Sequence, residues 1–141
     1  MADKALLKKQ QERWGDAVAN GNYDELDDIL TEDFVDHDPG DQTPDREGVK
    51  NFFRGMHKSF SDFKPEPVEL HVSDDGYVAM RYNVSGRHTG DFMGYPATGK
   101  SFETTAMQLA RFNDDGMCVE RWGVTDHLPI LQQLGLVSAN G

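Results

Sequence analysis

Val68-Glu69-Leu70-His71-Val72-Ser73-Asp74-Asp75-Gly76-Tyr77-Val78-Ala79-Met80-Arg81-Tyr82-Asn83-Val84 decides the fold class. Val68, Leu70 and Val72 alternate with polar residues, Asp74-Asp75-Gly76 turns the chain, and Val78, Met80, Tyr82 and Val84 alternate again. A period of two on both sides of an Asp-Gly turn predicts an antiparallel hairpin. The pattern recurs downstream. Phe102 to Phe112 leads through Asp114-Asp115-Gly116 into Met117 to Thr125, and a Gly- and Pro-bearing loop, Gly90 to Gly99, joins the two hairpins.

Upstream, the period changes to that of a helix. Val49, Phe52, Phe53, Met56 and Phe60 follow 3, 4, 7 spacing from Arg46 to Phe60, with Glu47 suited to the first turn. Leu6, Leu7, Trp14 and Val18, then Leu26, Ile29 and Leu30, predict two further helices separated at Asn20-Gly21-Asn22, a C-cap sequence. Between them and the third helix, Phe34-Val35-Asp36-His37-Asp38-Pro39 reads as a short extended piece entering a polar loop, because Pro39 keeps Asp38 out of the helical region. At the other end, Leu128, Ile130, Leu131 and Leu134 form a short helix with Pro129 in its first turn and Gly135 closing it. Helices first and long antiparallel strands after give an α+β architecture, in which the helices cover one face of a curved sheet and a pocket remains between the layers.

The 141 residues fit one domain, residues 1–141. With 37% hydrophobic residues the chain has enough apolar surface to offset its conformational entropy. The balance of 14 basic against 25 acidic residues, net charge -11, repels phosphate backbones and excludes a nucleic-acid partner. The acidic runs Asp24 to Asp28, Asp36 to Asp41, Asp74-Asp75 and Asp114-Asp115 read as solvated turns with no chemistry. Cys118, the single cysteine, forms no internal disulfide, which points to a reducing, cytoplasmic setting. No apolar run approaches the about 18 residues of a membrane span, and Met1 to Gln11 lacks a signal-peptide block. The five histidines show no His-Glu-x-x-His spacing, and no Gly-x-Gly-x-x-Gly stands between a strand and a helix. Neither a metal nor a nucleotide cofactor is predicted.

The candidate chemistry gathers at Arg121-Trp122-Gly123-Val124-Thr125-Asp126-His127, where a strand ends on a carboxylate and an imidazole before an apolar helix. Strand alternation puts Trp122 and Asp126 on one face with Glu120 and Val124, and Arg121, Gly123 and Thr125 on the other. A regular hairpin pairing Phe112 with Cys118 sets Gln108 opposite Trp122 and Thr104 opposite Asp126. Facing an apolar pocket, Asp126 is a candidate general base, since desolvation raises a carboxyl pKa; the competing reading makes it the N-cap of the last helix, worth about 1 kcal/mol. His88 shares a face with Val78, Met80, Tyr82 and Val84 and is a candidate pocket-rim group, with a hydrogen-bonded structural histidine as the alternative. Tyr82 and Trp122 read as core or pocket wall, His37 as pocket lining or a charged loop residue, and Ser85 has the wrong parity for a triad with His88. Arg81, Met107 and Leu109 form an outer mixed surface suited to a homodimer or homotetramer.

These residues resemble the SnoaL-like polyketide cyclase, or ester cyclase, family within the nuclear-transport-factor-two-like cone fold. The resemblance runs from about Gln11 to Gly135. It is carried by Phe34-Val35-Asp36-His37, Arg46-Glu47-Gly48-Val49, Val78-Ala79-Met80-Arg81-Tyr82, the series Gly86-Arg87-His88-Thr89-Gly90 to Gly99-Lys100, Glu120-Arg121-Trp122 through Asp126, and Gln132-Gln133-Leu134-Gly135. It implies a cone-shaped curved sheet and a cofactor-free intramolecular aldol ring closure of a small, largely apolar carbonyl or ester substrate. Asp126 matches the family's proton-abstracting aspartate, His88 its pocket histidine, and His37 a further lining histidine. A binding module without chemistry, and a ketosteroid-isomerase-like isomerase or hydratase, are the alternatives on the same pocket.

Overall fold

The computed structural model describes residues 2–138. Helix α1, Lys4–Asn20, starts where the Asp3 carboxylate accepts the Ala5 N–H at 3.1 Å and ends at Gly21, whose φ of 73° is the left-handed conformation a C-cap needs. The expected second helix is a six-residue 3-10 turn, Tyr23–Asp28. Four of its residues are acidic and only Leu26 is buried, which is too little apolar surface to propagate an α-helix. Ile29 and Leu30, both fully buried, instead lead into strand β1, Leu30–Asp36.

Helix α2, Arg46–Ser59, is capped by Asp45, whose Oδ1 accepts from Gly48 N at 2.9 Å and from Thr43 Oγ1 at 2.7 Å. A Cβ on Gly48 would stand 1.8 Å from the Thr43 carbonyl oxygen, so this first turn closes only on glycine. Strands β2, Phe60–Val72, and β3, Tyr77–His88, form the first hairpin; β4, Ser101–Phe112, and β5, Cys118–Thr125, form the second. Gly76 and Gly116 take φ of 91° and 78° in the turns, conformations that favour glycine. Helix α3, Leu128–Gln133, carries Pro129 in its first turn.

The sheet is five-stranded, in the order β1-β5-β4-β3-β2, curved and not closed. All pairs are antiparallel except β1 with β5, which the hairpin pattern alone did not reveal. β2 begins at Phe60, straight out of α2, and so contains Pro65 and Pro67; it lies at the sheet edge, where a missing N–H costs no ladder bond.

The second hairpin departs from regular pairing in one place. Phe112 pairs with Cys118, but Arg111 pairs with Glu120, leaving Val119 as an extra residue in β5. Every later pair is displaced by one: Gln108 faces Gly123, Leu109 faces Trp122 and Ala106 faces Thr125. β4 buries Phe102, Thr104, Ala106, Gln108, Ala110 and Phe112 on its inner face. The inner residues of β5 beyond the bulge are therefore Arg121, Gly123 and Thr125, and Trp122, Val124 and Asp126 belong to the outer face.

Two apolar clusters form the interior. One gathers Leu7, Trp14, Val18, Leu26, Ile29, Phe34 and Val49 against the turn end of the sheet. The other gathers Phe60, Phe63, Val84, Phe102, Ile130 and Leu134 at the far end, and Phe53 packs against both. Each fully buried Phe, Leu or Ile contributes about 1.5 to 3 kcal/mol.

Candidate functional site

Between the two clusters lies a cavity of about 170 Å³. Its apolar wall is Trp14 and Val49 from one cluster, Phe63, Val84 and Ile130 from the other, and Phe52, Phe53 and Met56 from α2. Helical spacing brings that α2 set onto the cavity, and the Asp45 cap fixes where the helix starts. Pro39 and Gly40, in the loop after β1, and His127, ahead of α3, also contribute to the wall.

One patch of the wall is polar. Asp36 at the end of β1 pairs in register with Arg121 on β5, and Arg121 Nη1 donates to Asp36 Oδ1 at 2.7 Å. Arg121 Nε donates to Gln108 Oε1 at 2.8 Å, and Gln108 Nε2 donates to Gln11 Oε1 at 3.3 Å. The Asp38 N–H donates to Asp36 Oδ1 at 2.9 Å, while Asp38 Oδ2 accepts the Gly123 N–H at 2.9 Å and ties the Pro39-Gly40 loop to β5. Asp36 is 6% exposed. A buried ion pair is weak evidence of a stability role, because a well-packed apolar pair of similar volume is commonly as stable. Its place on a cavity wall makes it a candidate for chemistry.

Tyr82 and Gln108 line this cavity. Burial pushes the Tyr82 hydroxyl above its ordinary pKa, against a smaller lowering by Arg121, and so keeps it a proton-bearing donor at neutral pH. The other expected site residues, Asp126, His88, His37, Trp122 and Thr104, do not line this cavity. Asp126 is exposed on the outer face and does not line the cavity; its backbone carbonyl accepts from Thr104 Oγ1 at 2.8 Å and its N–H donates to Thr105 O at 3.1 Å. Thr104 thus ties the end of β5 to β4. Trp122 is also on the outer face, stacked on His37 with ring centroids 4.5 Å apart and planes at 7°. His37 Nε2 is 2.8 Å from Glu120 Oε1, and Glu120 also pairs with Arg111. The bulge at Val119 is the physical reason that Trp122 and Asp126 face outward.

His88 is fully buried but belongs to the Phe60, Phe92 and Phe102 packing. Its Nδ1 accepts the Thr98 N–H at 3.2 Å, which fixes the proton on Nε2 in the neutral ring, and the contact holds the Gly90 to Gly99 loop against β3. Asp36, read from sequence as a solvated acidic turn, is instead the buried one of two carboxylates on the cavity wall, the other being the exposed Asp38. Its signal was the alternation in β1, since Phe34 and Asp36 share a face. The Cys118 thiol is pushed up to about 12 by burial and is not a nucleophile at neutral pH. Among the described residues no three His, Cys, Asp or Glu side chains stand close enough to hold a metal ion, and no helix is long and apolar enough to cross a membrane.

A curved open sheet wrapped on N-terminal helices around an apolar cavity with one polar patch defines a pocket protein of the nuclear-transport-factor-two-like cone fold. Within that fold the chain belongs to the SnoaL-like polyketide cyclase family, whose model matches residues 8–134. Aklanonic acid methyl ester cyclase DauD from Streptomyces sp. (strain C5) is 25% identical over 132 residues, spanning 87% of this chain and 78% of that protein. Among solved structures, TsrD from Streptomyces laurentii superposes with a TM-score of 0.88 at 25% identity, over 97% of this chain and 100% of that one. IdmH from Streptomyces antibioticus, a candidate polyketide cyclase, superposes with a TM-score of 0.81 at 30% identity, over 92% and 98%.

Proposed function

We propose that this protein closes a ring in a small carbonyl or ester substrate by cofactor-free intramolecular aldol addition, with Asp36 as the general base. The observation that carries the reading is the Asp36 carboxylate on the wall of an apolar cavity, with Oδ1 occupied by Arg121 Nη1 and the Asp38 N–H and no hydrogen bond from the described residues directed at Oδ2. Oδ2 takes the proton α to a carbonyl, and the C–H electron pair becomes the C=C of an enolate. The enolate carbon attacks a second carbonyl of the same molecule, and the resulting alkoxide takes the proton back from Asp36. Atoms and charge balance, and the product is an isomer of the substrate.

The apolar lining by Trp14, Phe52, Phe53, Phe63 and Ile130 supports the reading, because a low local dielectric strengthens each polar contact made inside. The base role moves from Asp126 to Asp36 because the Asp126 side chain is outside the wall. The DauD likeness suggests aklanonic acid methyl ester and related polyketide methyl esters as first substrates. In a product-mass and product-structure assay, Asp36→Asn is expected to lower turnover by about 10² to 10⁴, with Asp126→Asn close to wild type. Full activity in Asp36→Asn with loss in Asp126→Asn would return the base to Asp126. Tight binding of an ester without conversion would favour the binding module.

A further inference from the structure

Among the polar atoms of the cavity wall left with bonding capacity, three belong to Arg121, Tyr82 and Asp36. Arg121 commits Nε to Gln108 and Nη1 to Asp36, and no hydrogen bond from the described residues engages its Nη2. The same holds for the Tyr82 hydroxyl and for Asp36 Oδ2. None of the three is sealed off, since the side-chain nitrogen and oxygen atoms both buried and unpaired among the described residues are Thr31 Oγ1 and His88 Nε2. Arg121, Tyr82 and Asp36 all line the same cavity.

Gly123 explains why Nη2 stands where it does. A Cβ on Gly123 would lie 1.7 Å from Nη2 and 2.7 Å from Cζ of Arg121, so the guanidinium occupies the space a side chain would take. The Gly123 N–H is held by Asp38 Oδ2, which anchors that stretch of strand beneath the guanidinium. The planar fork is fixed along one edge by Gln108 and Asp36, and its remaining N–H groups are preorganised.

We infer that Arg121 Nη2 and the Tyr82 hydroxyl form the oxyanion site of this cavity, that Gly123 is the residue that seats Arg121, and that the cavity selects substrates whose enolisable carbonyl oxygen reaches this pair. The inference rests on the reading of Asp36 as the base. Proton transfer to Asp36 removes the negative charge that faces Nη1 and creates one on the substrate oxygen that faces Nη2. One guanidinium therefore neutralises the charge before and after the step without moving, and donors that need no reorganisation are the most effective kind. Tyr82, kept protonated by its burial, supplies the second donor.

The test uses 4-nitrophenol, whose yellow anion mimics an enolate and is read by absorbance, with 4-nitroanisole as the neutral probe. In Asp36→Asn the amide stands for the protonated carboxyl. This variant is expected to bind nitrophenolate about tenfold or more tightly than wild type does, and to hold the bound probe ionised at a lower pH than in water. Adding Arg121→Met or Gly123→Ala to Asp36→Asn is expected to abolish that gain while nitroanisole binding persists, which reports an intact cavity; Arg121→Lys, which keeps the charge but lacks the fork, replaces Arg121→Met if nitroanisole is lost. No gain in Asp36→Asn, a gain that survives loss of the Arg121 fork, or no nitrophenolate binding to any form overturns the inference. Turnover that depends on Asp36 without the nitrophenolate gain leaves the base reading standing and this one fallen. The gain without conversion of any ester does the reverse.

Discussion

Two adjacent pairs at the junction of β1 with β5 point to opposite sides of the sheet and meet different fates. Asp36 and Arg121 face inward and form a buried ion pair on the cavity wall, whereas their neighbours His37 and Glu120 face outward and pair in reach of water beside Trp122. Composition does not distinguish them, as both join an acidic side chain to a cationic or imidazole one at 2.7 to 2.8 Å. Their difference is dielectric. Inside, a charge that loses its partner keeps little solvent around it, so the pair is costly to break; outside, water replaces either partner at small cost.

The largest effect on this comparison comes from breaking the inner pair from one side. Arg121→Met strands the Asp36 carboxylate and is expected to lower stability by about 3 kcal/mol in urea unfolding. Gly123→Ala comes next, at about 2 kcal/mol, because the new methyl displaces the guanidinium. In the Arg121→Met background the same substitution should cost almost nothing, and an additive cycle would show that Gly123 does not seat Arg121. On the outer face Trp122→Ala removes the stack on His37 and is expected to cost about 1 kcal/mol.

The smallest effect is Glu120→Gln, about 0.5 kcal/mol at neutral pH. Its sign shows in acid. Hydrogen bonds from His37 and then Arg111 hold the Glu120 carboxyl below its ordinary 4.5. That contribution is therefore present above the ordinary value and is lost as pH falls through the lowered one. Thermal melts of Glu120→Gln should show a shallower decline than wild type on the acid side of pH 4.5 and the same slope near neutrality. An outer substitution that costs as much as Arg121→Met would remove the dielectric account of the two faces.

Local chemistry explains which elements are legible in the sequence. Asp-Asp-Gly turns, the Gly21 cap, the Pro129 start and the 3, 4, 7 spacing of α2 each act within a few residues, and the two hairpins, α1, α2 and α3 follow from them. The site is less legible because long-range pairing sets it. Alternation correctly groups Trp122 with Asp126, but which group faces inward depends on Val119, one bulged residue that no residue type announces. Asp36 is hidden for a similar reason. It stands in an acidic run that reads as solvated, and its partner is 85 residues away on a strand parallel to its own. Tyr82 and Gln108, whose strands pair regularly as far as the cavity, need no such information.

The division of the interior into two clusters bridged by Phe53 has a thermodynamic consequence. A ligand held in the cavity would touch residues of both clusters, so occupancy and folding would be linked equilibria, and a ligand at a hundred times its dissociation constant adds about 2.7 kcal/mol to the folded state. Amide hydrogen exchange should slow together in α2 and in the facing stretches of β3 and β5 when ligand binds, because opening either half then also releases the ligand. Melting temperature and exchange protection thus become readouts of substrate chemistry, which lets ligands be ranked before any product is seen.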